Sequence, residues 1–388
     1  MKLEFYNCPK PQEMEEVKLL EKPLFLSYEP DFELIQKLSE KYKQYQNILV
    51  IGHGGSITSF YGIYHALEYQ TKKQAYFLST VDPDYIYELK NKLNPENTLV
   101  IAISKSGEDT TQLEAFAQFI NYPLLIITSK NTPLKAIAEK LKTEVIIHPP
   151  IGGRYTGLTE VALLPAGLCG INIKSLYQGA KEFYDLYQQD NLAFKAASIF
   201  WQLEKMNFID VFVPFYSHNL FYMSNLIVQL CHESFGKDNK GQTYITSEAP
   251  ESQHHTNQRF FGGKRNICGF FISCENFMHS MVNNYPPEIH SIQIKGNVLF
   301  DLNKIPLEKS MEFELIGTLE NAKINSIPIA HLAINDFNPK EIGRFIAFWQ
   351  LYAVYASVLR NVDPFNQPQV ENSKNISFNK RLNFKGLL

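Results

Sequence analysis

Residues 47–58 read NILVIGHGGSIT, and residues 98–111 read TLVIAISKSGEDTT. Each stretch begins with an apolar run that does not alternate with polar residues, which predicts a strand buried on both faces of a parallel sheet. Each run ends in a loop of glycine and hydroxyl-bearing residues, and a helical pattern follows. The two stretches therefore predict successive strand–loop–helix units of an α/β fold.

The same alternation continues along the first half of the chain and returns in the second half. Further strands are predicted at 75–78, 124–128, 145–147, 209–215, 266–273 and 327–334. Helices are predicted at 57–68, 109–120, 133–141, 219–233 and 339–359. We place a domain boundary near residue 180, where a polar, helical stretch joins the two halves.

Composition excludes several classes of protein. The net charge of −3, from 37 basic and 40 acidic residues, argues against a dedicated nucleic-acid binder. The most apolar run, residues 346–359, is shorter than a membrane span and is interrupted by Gln350. The N-terminus lacks the apolar core of a signal peptide. Five cysteines without a CxxC pair predict a reduced, cytoplasmic protein rather than a disulfide framework.

Two loops have the composition of anion-binding sites. Glycines after the first strand let the backbone approach a ligand, and the following helix offers free N–H groups. Ser104, Lys105 and Ser106 follow the second strand and form a similar cluster of donors. Ligands of open α/β sheets bind at the carboxyl ends of strands. A tight turn without a ligand and an ordinary helix N-cap are the alternatives for the two loops.

Five polar residues have side chains suited to catalysis. Arg154 is the first arginine of the chain and follows two glycines, and its guanidinium could stabilise an oxyanion. Glu233 ends an apolar helical pattern. His254, His255 and Lys374 are candidates for proton transfer. The alternatives are a salt bridge for the arginine and structural or solvated roles for the others.

Five segments in the same order resemble the glucose-6-phosphate isomerases (phosphoglucose isomerases) of the sugar isomerase (SIS) superfamily. IGHGGS and ISKSGEDTT are similar to motifs of the whole superfamily. IGGRYTGLTEVALLP, HESFGKD and PFNQPQVENSK are similar to motifs specific to the phosphoglucose isomerases. The segments are residues 51–56, 103–111, 151–165, 232–238 and 364–374.

The resemblance implies a fold and a reaction. The fold class is α/β, with two three-layer αβα (flavodoxin-like, SIS) domains and mainly parallel sheets. Residues 1–180 would form the domain with the phosphosugar-binding loops, and residues 181–388 the domain with the catalytic glutamate, histidine and lysine. The reaction would be the reversible isomerisation of glucose 6-phosphate and fructose 6-phosphate, a step of glycolysis and gluconeogenesis.

Residue roles follow from the same resemblance. Glu233 would move the proton between C1 and C2, and Arg154 would stabilise the cis-enediolate. His254, which fits the family register better than His255, would open the sugar ring with help from Lys374. The substrate-binding residues would be Gly55, Ser56, Ser104, Lys105, Ser106, Thr110 and Gln367.

The resemblance also bears on cofactors and partners. The reaction requires no metal and no nicotinamide cofactor. A homodimer is implied, with His254 contributed across the subunit interface, and neither nucleic acid nor a membrane is expected as a partner.

Four residues depart from the family pattern. Asp109 stands where a threonine usually touches phosphate, and a carboxylate there would repel a dianion. Either Thr110 takes over the contact or Asp109 points away. His53 replaces an aliphatic residue in the glycine loop. Asn366 and Gln369 replace an acidic and a small residue near the C-terminus. These departures leave the choice of substrate open.

Three alternatives remain for the function. One is a sugar-phosphate-binding regulator on the same fold, since fold alone does not fix function. Another is an isomerase that also accepts mannose 6-phosphate or acts on a different phosphosugar. The third is a metal site of His232, Glu233, His254 and His255, although adjacent histidines point in different directions.

Overall fold

The computed structural model describes residues 1–384, which contain two five-stranded sheets and a two-stranded ribbon. The predicted α/β class with mainly parallel sheets is confirmed. The strands are β1 (Lys2–Tyr6), β2 (Asn47–Ile51), β3 (Gln74–Leu78), β4 (Thr98–Ser104), β5 (Leu124–Thr128), β6 (Glu144–Ile147), β7 (Asp210–Tyr216), β8 (Thr243–Glu248), β9 (Ile267–Asn276), β10 (Gln293–Ile294), β11 (Asn297–Val298) and β12 (Ile329–Asp336).

The first sheet has the strand order β3-β2-β4-β5-β6, and all its neighbours are parallel. This is the flavodoxin-like order, in which the direction of winding reverses between the first and third strands along the chain. Here those strands are β2 and β4. Their carboxyl ends carry the glycine loop and the Ser104–Ser106 loop, so the two predicted anion-binding loops meet at the reversal point.

The second sheet has the same strand order, except that one edge strand comes from the N-terminus of the chain. Its strands run β8-β7-β9-β12-β1, and all pairs are parallel except β1 with β12, which are antiparallel. The N-terminal strand therefore fills the edge position that a fifth parallel strand holds in the first sheet. Residues 2–6 belong by pairing to the sheet of the second half. The boundary near residue 180 falls inside a helix that packs on the second half, and the division stays a prediction.

The helices cover both faces of the sheets. They are α1 (Phe32–Lys41), α2 (Thr58–Ala66), α3 (Pro83–Lys92), α4 (Thr110–Ala117), α5 (Pro133–Leu141), α6 (Glu160–Leu168), α7 (Ile173–Tyr184), α8 (Leu192–Lys205), α9 (His218–Phe221), α10 (Ser224–Phe235), α11 (Thr256–Gly262), α12 (Leu307–Ile324), α13 (Pro339–Leu359) and α14 (Glu371–Leu382). Short 3-10 turns occupy several of the loops.

Helix α13 is the centre of the core. It packs against α7, α8, α10 and β12, and one buried apolar cluster extends from it into both sheets. Among residues 1–384 it is the one helix long and apolar enough to cross a membrane, but 83% of its most apolar window is buried inside the protein. Its predicted limits, 339–359, are confirmed.

Most predicted elements of the first half are observed within a few residues of their predicted limits. The predicted helix 219–233 is instead two helices, α9 and α10, separated by Tyr222 and Met223. The sequence analysis gave no limits for α1, α3, α8, α11, α12 and α14, and it missed the strands β1, β8, β10 and β11. The missed strands are short or lie at a sheet edge.

Two glycines let α7 and α13 cross in close contact. A Cβ atom on Gly343 would lie 1.8 Å from the carbonyl oxygen of Leu176, and one on Gly179 would lie 1.9 Å from that of Lys340. Real Cβ atoms do not approach an oxygen so closely, so any side chain here would force the helices apart. The contact is the tightest part of the packing around α13.

We predict that Gly343→Ala destabilises the protein by about 1–3 kcal/mol or more, because overpacking outweighs the gain in helix propensity. Gly317→Ala is the matched control, since Gly317 lies inside α12 with no atom within 4 Å of its added Cβ. That variant should be stabilised by about 0.5–1 kcal/mol. The midpoint of urea unfolding measures both, and equal effects of the two substitutions would contradict the proposed crossing.

Candidate active site

Glu233 lies in the last turn of α10, where its carboxylate faces Gln229 one turn earlier. The amide nitrogen of Gln229 is 3.3 Å from both carboxylate oxygens. An Arg154 nitrogen, Nη1, donates to Oε2 of Glu233 at 3.1 Å. The Glu233 side chain keeps 34% of its surface exposed, so a ligand can reach the carboxylate. The Glu233 carboxylate is therefore held in place and accessible to solvent.

Arg154 lies in a 3-10 turn, Gly153–Tyr155, and its side chain is 3% exposed. All three of its nitrogens donate to other parts of the chain. Nε donates to the hydroxyl of Ser234 at 3.0 Å, and Nη1 also donates to the side chain of Gln367 at 2.8 Å. Nη2 donates to the backbone carbonyls of residues 364 and 366. The guanidinium therefore joins α10 to the C-terminal loop beside the carboxylate of Glu233.

Lys237 repeats this arrangement one turn beyond Glu233. Its side chain is buried, and Nζ donates to the backbone oxygens of Asp363 and Asn366 at 2.6 Å each and to the Asn366 side chain at 3.0 Å. Burial lowers the pKa of Lys237, and the nearby Arg154 guanidinium lowers that pKa further. Asn366, one of the departures from the family pattern, is thus used as an acceptor for Lys237.

The glycine loop touches the Arg154 turn directly. A Cβ on Gly55 would lie 2.0 Å from the carbonyl carbon of Gly153, so only glycine allows this contact. The hydroxyl of Thr156 donates to the carbonyl of Gly153 at 2.6 Å. Gly54 has a left-handed φ of +49°, and its Cβ position is occupied by the Gln229 amide. The loop therefore brings the backbone of residues 54–56 next to Arg154 and Gln229.

The loop after β4 presents hydroxyl groups at the N-terminus of α4. Ser104 is buried and accepts from the N–H of Gly107 at 3.1 Å, whereas Ser106 is exposed and accepts from the N–H of Glu108 at 3.4 Å. Both hydroxyl hydrogens stay available to an anion. Lys105 is exposed, and Thr110 is the half-buried first residue of α4. The helix N-cap is Asp109, so neither serine serves only as a cap.

Asp109 and His53 contact each other across the two loops. His53 Nδ1 lies 3.2 Å from Asp109 Oδ1. The Asp109 carboxylate therefore faces the glycine loop. The alternative from the sequence, in which this carboxylate points away, is not observed. His53 and Asp109 are two of the four residues that depart from the family pattern, and these two residues contact each other.

His254 and Lys374 are not brought to Glu233 within this chain. His254 is exposed at the end of a 3-10 turn and lines an open groove of about 690 Å³ between α11 and α12. His255 is also exposed, and its ring bonds the Thr256 hydroxyl. Lys374 lies on the exposed helix α14 and donates to Glu371 at 2.9 Å. Within residues 1–384, no hydrogen bond or ion pair joins His254 or Lys374 to Arg154 or Glu233.

The residues of the alternative metal site are also separate. His232 Nε2 accepts from the backbone N–H of Tyr244 at 2.9 Å, which uses that nitrogen for structure. In the part of the chain that the structure describes, no group of three or more His, Cys, Asp or Glu side chains is placed to hold a metal ion.

The phosphoglucose isomerase family profile matches residues 36–383.

This chain belongs to the phosphoglucose isomerase family.

Three similar proteins match this chain along most of their length. A glucose-6-phosphate isomerase of Fusobacterium nucleatum is 29% identical over 380 residues, which cover 90% of this chain and 83% of the relative. A hypothetical protein of Thermus thermophilus superposes with a TM-score of 0.80 at 24% identity, covering 91% of this chain and 87% of its own. A glucose-6-phosphate isomerase of Chlamydia trachomatis superposes with a TM-score of 0.75 at 19% identity, over 91% and 74% of the two chains. The two structures support the fold.

Sequence reasoning missed three residues of the site. Gln229 could have been found, because it lies four residues before Glu233 and so on the same face of a helix. Lys237 stands inside the quoted HESFGKD motif, but no role was assigned to it. Ser234 stands inside the same motif and was likewise given no role, since its contact with Arg154 depends on the tertiary structure.

We predict that Lys237→Met loosens the loop of residues 363–367, because it removes three hydrogen bonds, leaves the Asp363 carbonyl without its donor and leaves the Asn366 carbonyl with Arg154 alone. Hydrogen–deuterium exchange should be faster in peptides that cover this loop. Lys240→Met is the control, since Lys240 donates only to the Arg360 carbonyl, at 2.9 Å. Unchanged exchange in the Lys237 variant would mean that Arg154 alone holds the loop.

Proposed function

We propose that this protein is a glucose-6-phosphate isomerase, which interconverts glucose 6-phosphate and fructose 6-phosphate through a cis-enediolate. The observation that carries this proposal is the contact of the partly exposed Glu233 carboxylate with the buried Arg154 guanidinium at 3.1 Å. A base and a cation side by side are what proton transfer next to a carbonyl requires. Family membership supports the same reaction.

In this mechanism Glu233 takes the proton from C2 of the open-chain aldose and returns it to C1. The negative charge that develops on the substrate oxygens would be stabilised by Arg154, whose position is fixed before the reaction by its other partners. Gln229 and Gln367 hold the carboxylate and the guanidinium in place. These steps use side chains of the protein and require no cofactor.

The phosphate group would bind at the reversal point of the first sheet. Ser104, Ser106 and Thr110 offer hydroxyl groups there, with the backbone N–H group of Gly55 and the neighbouring Ser56, whose own N–H donates to the His53 carbonyl at 3.1 Å. Lys105 adds a positive charge at the rim. Fixed donors at a helix N-terminus suit a phosphate dianion. This site would anchor the substrate so that its C1 and C2 atoms reach Glu233.

His254 would open the sugar ring from a second copy of the chain, with Lys374 assisting at the ring oxygen. Two observations support a shared site. His254 is exposed and faces an open groove rather than Glu233, and α14, which carries Lys374, has no buried residue. A two-fold symmetric dimer would place each chain's histidine at the partner's site.

We also propose a cytoplasmic location. All five cysteines, which lie within residues 1–384, are free thiols, and four of them are buried. Burial raises the pKa of the Cys8 thiol to about 12, so this least buried cysteine is also kept in its unreactive form. Free thiols in this number are typical of a reducing compartment.

We predict that Glu233→Gln lowers kcat by about a hundred- to ten-thousand-fold, because the amide cannot accept the substrate proton. KM should change little, since the amide keeps the size of the carboxylate and can still accept from Arg154. A coupled assay of fructose 6-phosphate to glucose 6-phosphate measures both constants. Glu33→Gln, an exposed glutamate on α1, is the control and should leave them unchanged.

Equal turnover of the wild type and the Glu233 variant would mean that another residue is the base. A wild type that binds fructose 6-phosphate without turnover would instead favour a regulator or an enzyme for a different phosphosugar. Mannose 6-phosphate is the first alternative substrate to assay.

We predict that co-expressed Glu233→Gln and His254→Asn subunits regain activity that neither variant has alone. If each site takes His254 from the partner, a mixed dimer has one site with both groups intact, so random mixing gives about a quarter of the wild-type sites. Mixing Glu233→Gln with Arg154→Lys is the control, because these two residues contact each other within one chain. No gain in the first mixture would place His254 and Glu233 in the same chain's site.

A further inference from the structure

The contact of His53 with Asp109 answers an electrostatic difficulty in the proposed phosphate site. Asp109 begins α4, at the point where the helix N-terminus and the serine loop would face the phosphate. A carboxylate there repels a dianion, and the repulsion is strong where water is partly excluded. Some group must offset this charge if the loop is to bind phosphate.

Asp109 is held in its anionic form. Its Oδ1 accepts from the N–H of Gln112 at 3.0 Å and from the Thr111 hydroxyl at 2.7 Å. The contact with His53, followed by these hydrogen bonds, keeps the pKa of Asp109 far below its usual range. The carboxylate therefore keeps its charge at any physiological pH, and protonation cannot relieve the repulsion.

His53 is placed to offset this charge. It lies in the glycine loop between Gly52 and Gly54, and its buried Nδ1 lies 3.2 Å from Asp109 Oδ1, outside hydrogen-bond geometry. About 29% of the His53 side chain is exposed, and Nε2, on the open side of the ring, makes no hydrogen bond within residues 1–384. One nitrogen thus faces the carboxylate while the other is available to a ligand.

The other charged groups near His53 and Asp109 do not offset the charge of the Asp109 carboxylate. Arg381 lies near Asp109, but its guanidinium forms a two-point ion pair with Glu114 at 2.6 and 2.8 Å. Lys105 and Glu108 are both exposed on the loop and carry opposite charges. His53 is therefore the residue in direct contact with Asp109 that can carry a positive charge.

We propose that His53 is a further substrate-binding residue, which donates from Nε2 to the substrate phosphate while Nδ1 faces Asp109. With an anion on each side, the ring binds as the imidazolium, and its charge offsets that of the carboxylate. Asp109 acts as the positioning residue for this ring. The inference rests on the proposed function, since it takes the phosphate of the sugar phosphate as the ligand.

The first test is His53→Gln, assayed for KM and kcat with fructose 6-phosphate and for binding of sulfate, a dianion of the same shape as phosphate. We expect KM and the sulfate Kd to rise about tenfold, the effect of losing one charge-assisted hydrogen bond, with kcat changed by less than about twofold. The rise of the thermal midpoint with sulfate concentration measures the Kd.

The second test adds Asp109→Asn to the His53 variant. Asparagine is an equally good N-cap and keeps the loop folded, so the substitution removes only the charge. We expect the double variant to bind sulfate more tightly than His53→Gln alone, because the carboxylate is no longer left without its counter-charge. His218→Gln, which breaks the exposed pair of His218 and Glu248 at 2.7 Å, is the matched control and should change neither constant.

Sulfate affinity within twofold of wild type in His53→Gln would overturn the inference and leave the pair a structural contact. A double variant no better than the single one would overturn the role of Asp109. Because sulfate binding needs no turnover, the test separates the two proposals. Loss of sulfate affinity in a protein that isomerises no sugar phosphate would leave His53 as an anion-binding residue and would overturn the proposed reaction instead.

Discussion

The guanidinium of Arg154 lies buried where the first half of the chain meets the second, and burial obliges the protein to supply partners for its donors. Those partners come from α10 and from the loop of residues 364–367. The same residue therefore positions the Glu233 carboxylate and the C-terminal loop. Lys237 secures that loop from the other side, so the geometry of the site follows from two buried cations.

This arrangement is possible because backbone meets backbone at two points. Gly55 lies against Gly153, which brings the glycine loop onto the turn that carries Arg154. Gly179 and Gly343 let α7 cross α13, which fixes the second sheet against the helices of the first half. A side chain at any of these glycines would clash with the facing backbone and push the two elements apart. The glycines thus set the distance between Glu233 and the glycine loop after β2.

The sequence predicted the strands of the first sheet well, because strands buried on both faces are continuous apolar runs. It missed β1 and β8, which are the two edge strands of the second sheet. Each of them pairs with another strand on one side only. It also missed α12 and α14, whose apolar residues are few or unburied. For the site, ordered motifs identified Arg154, Glu233 and Gln367. The contacts of Ser234 and Lys237 were not predictable, since they join segments far apart along the chain.

The sequence by itself determined the α/β class, the loops at the carboxyl ends of β2 and β4, and the family to which the chain belongs. These features are local, because they depend on apolar periodicity and on motifs of a few residues. Only the tertiary structure decided that β1 joins the second sheet, that Arg154 joins Glu233 to the C-terminal loop, and that His53 meets Asp109. Each of these depends on packing between distant segments, which no local pattern encodes. The position of His254, exposed and away from Glu233, also depends on the tertiary structure, since it follows from where α11 and α12 pack.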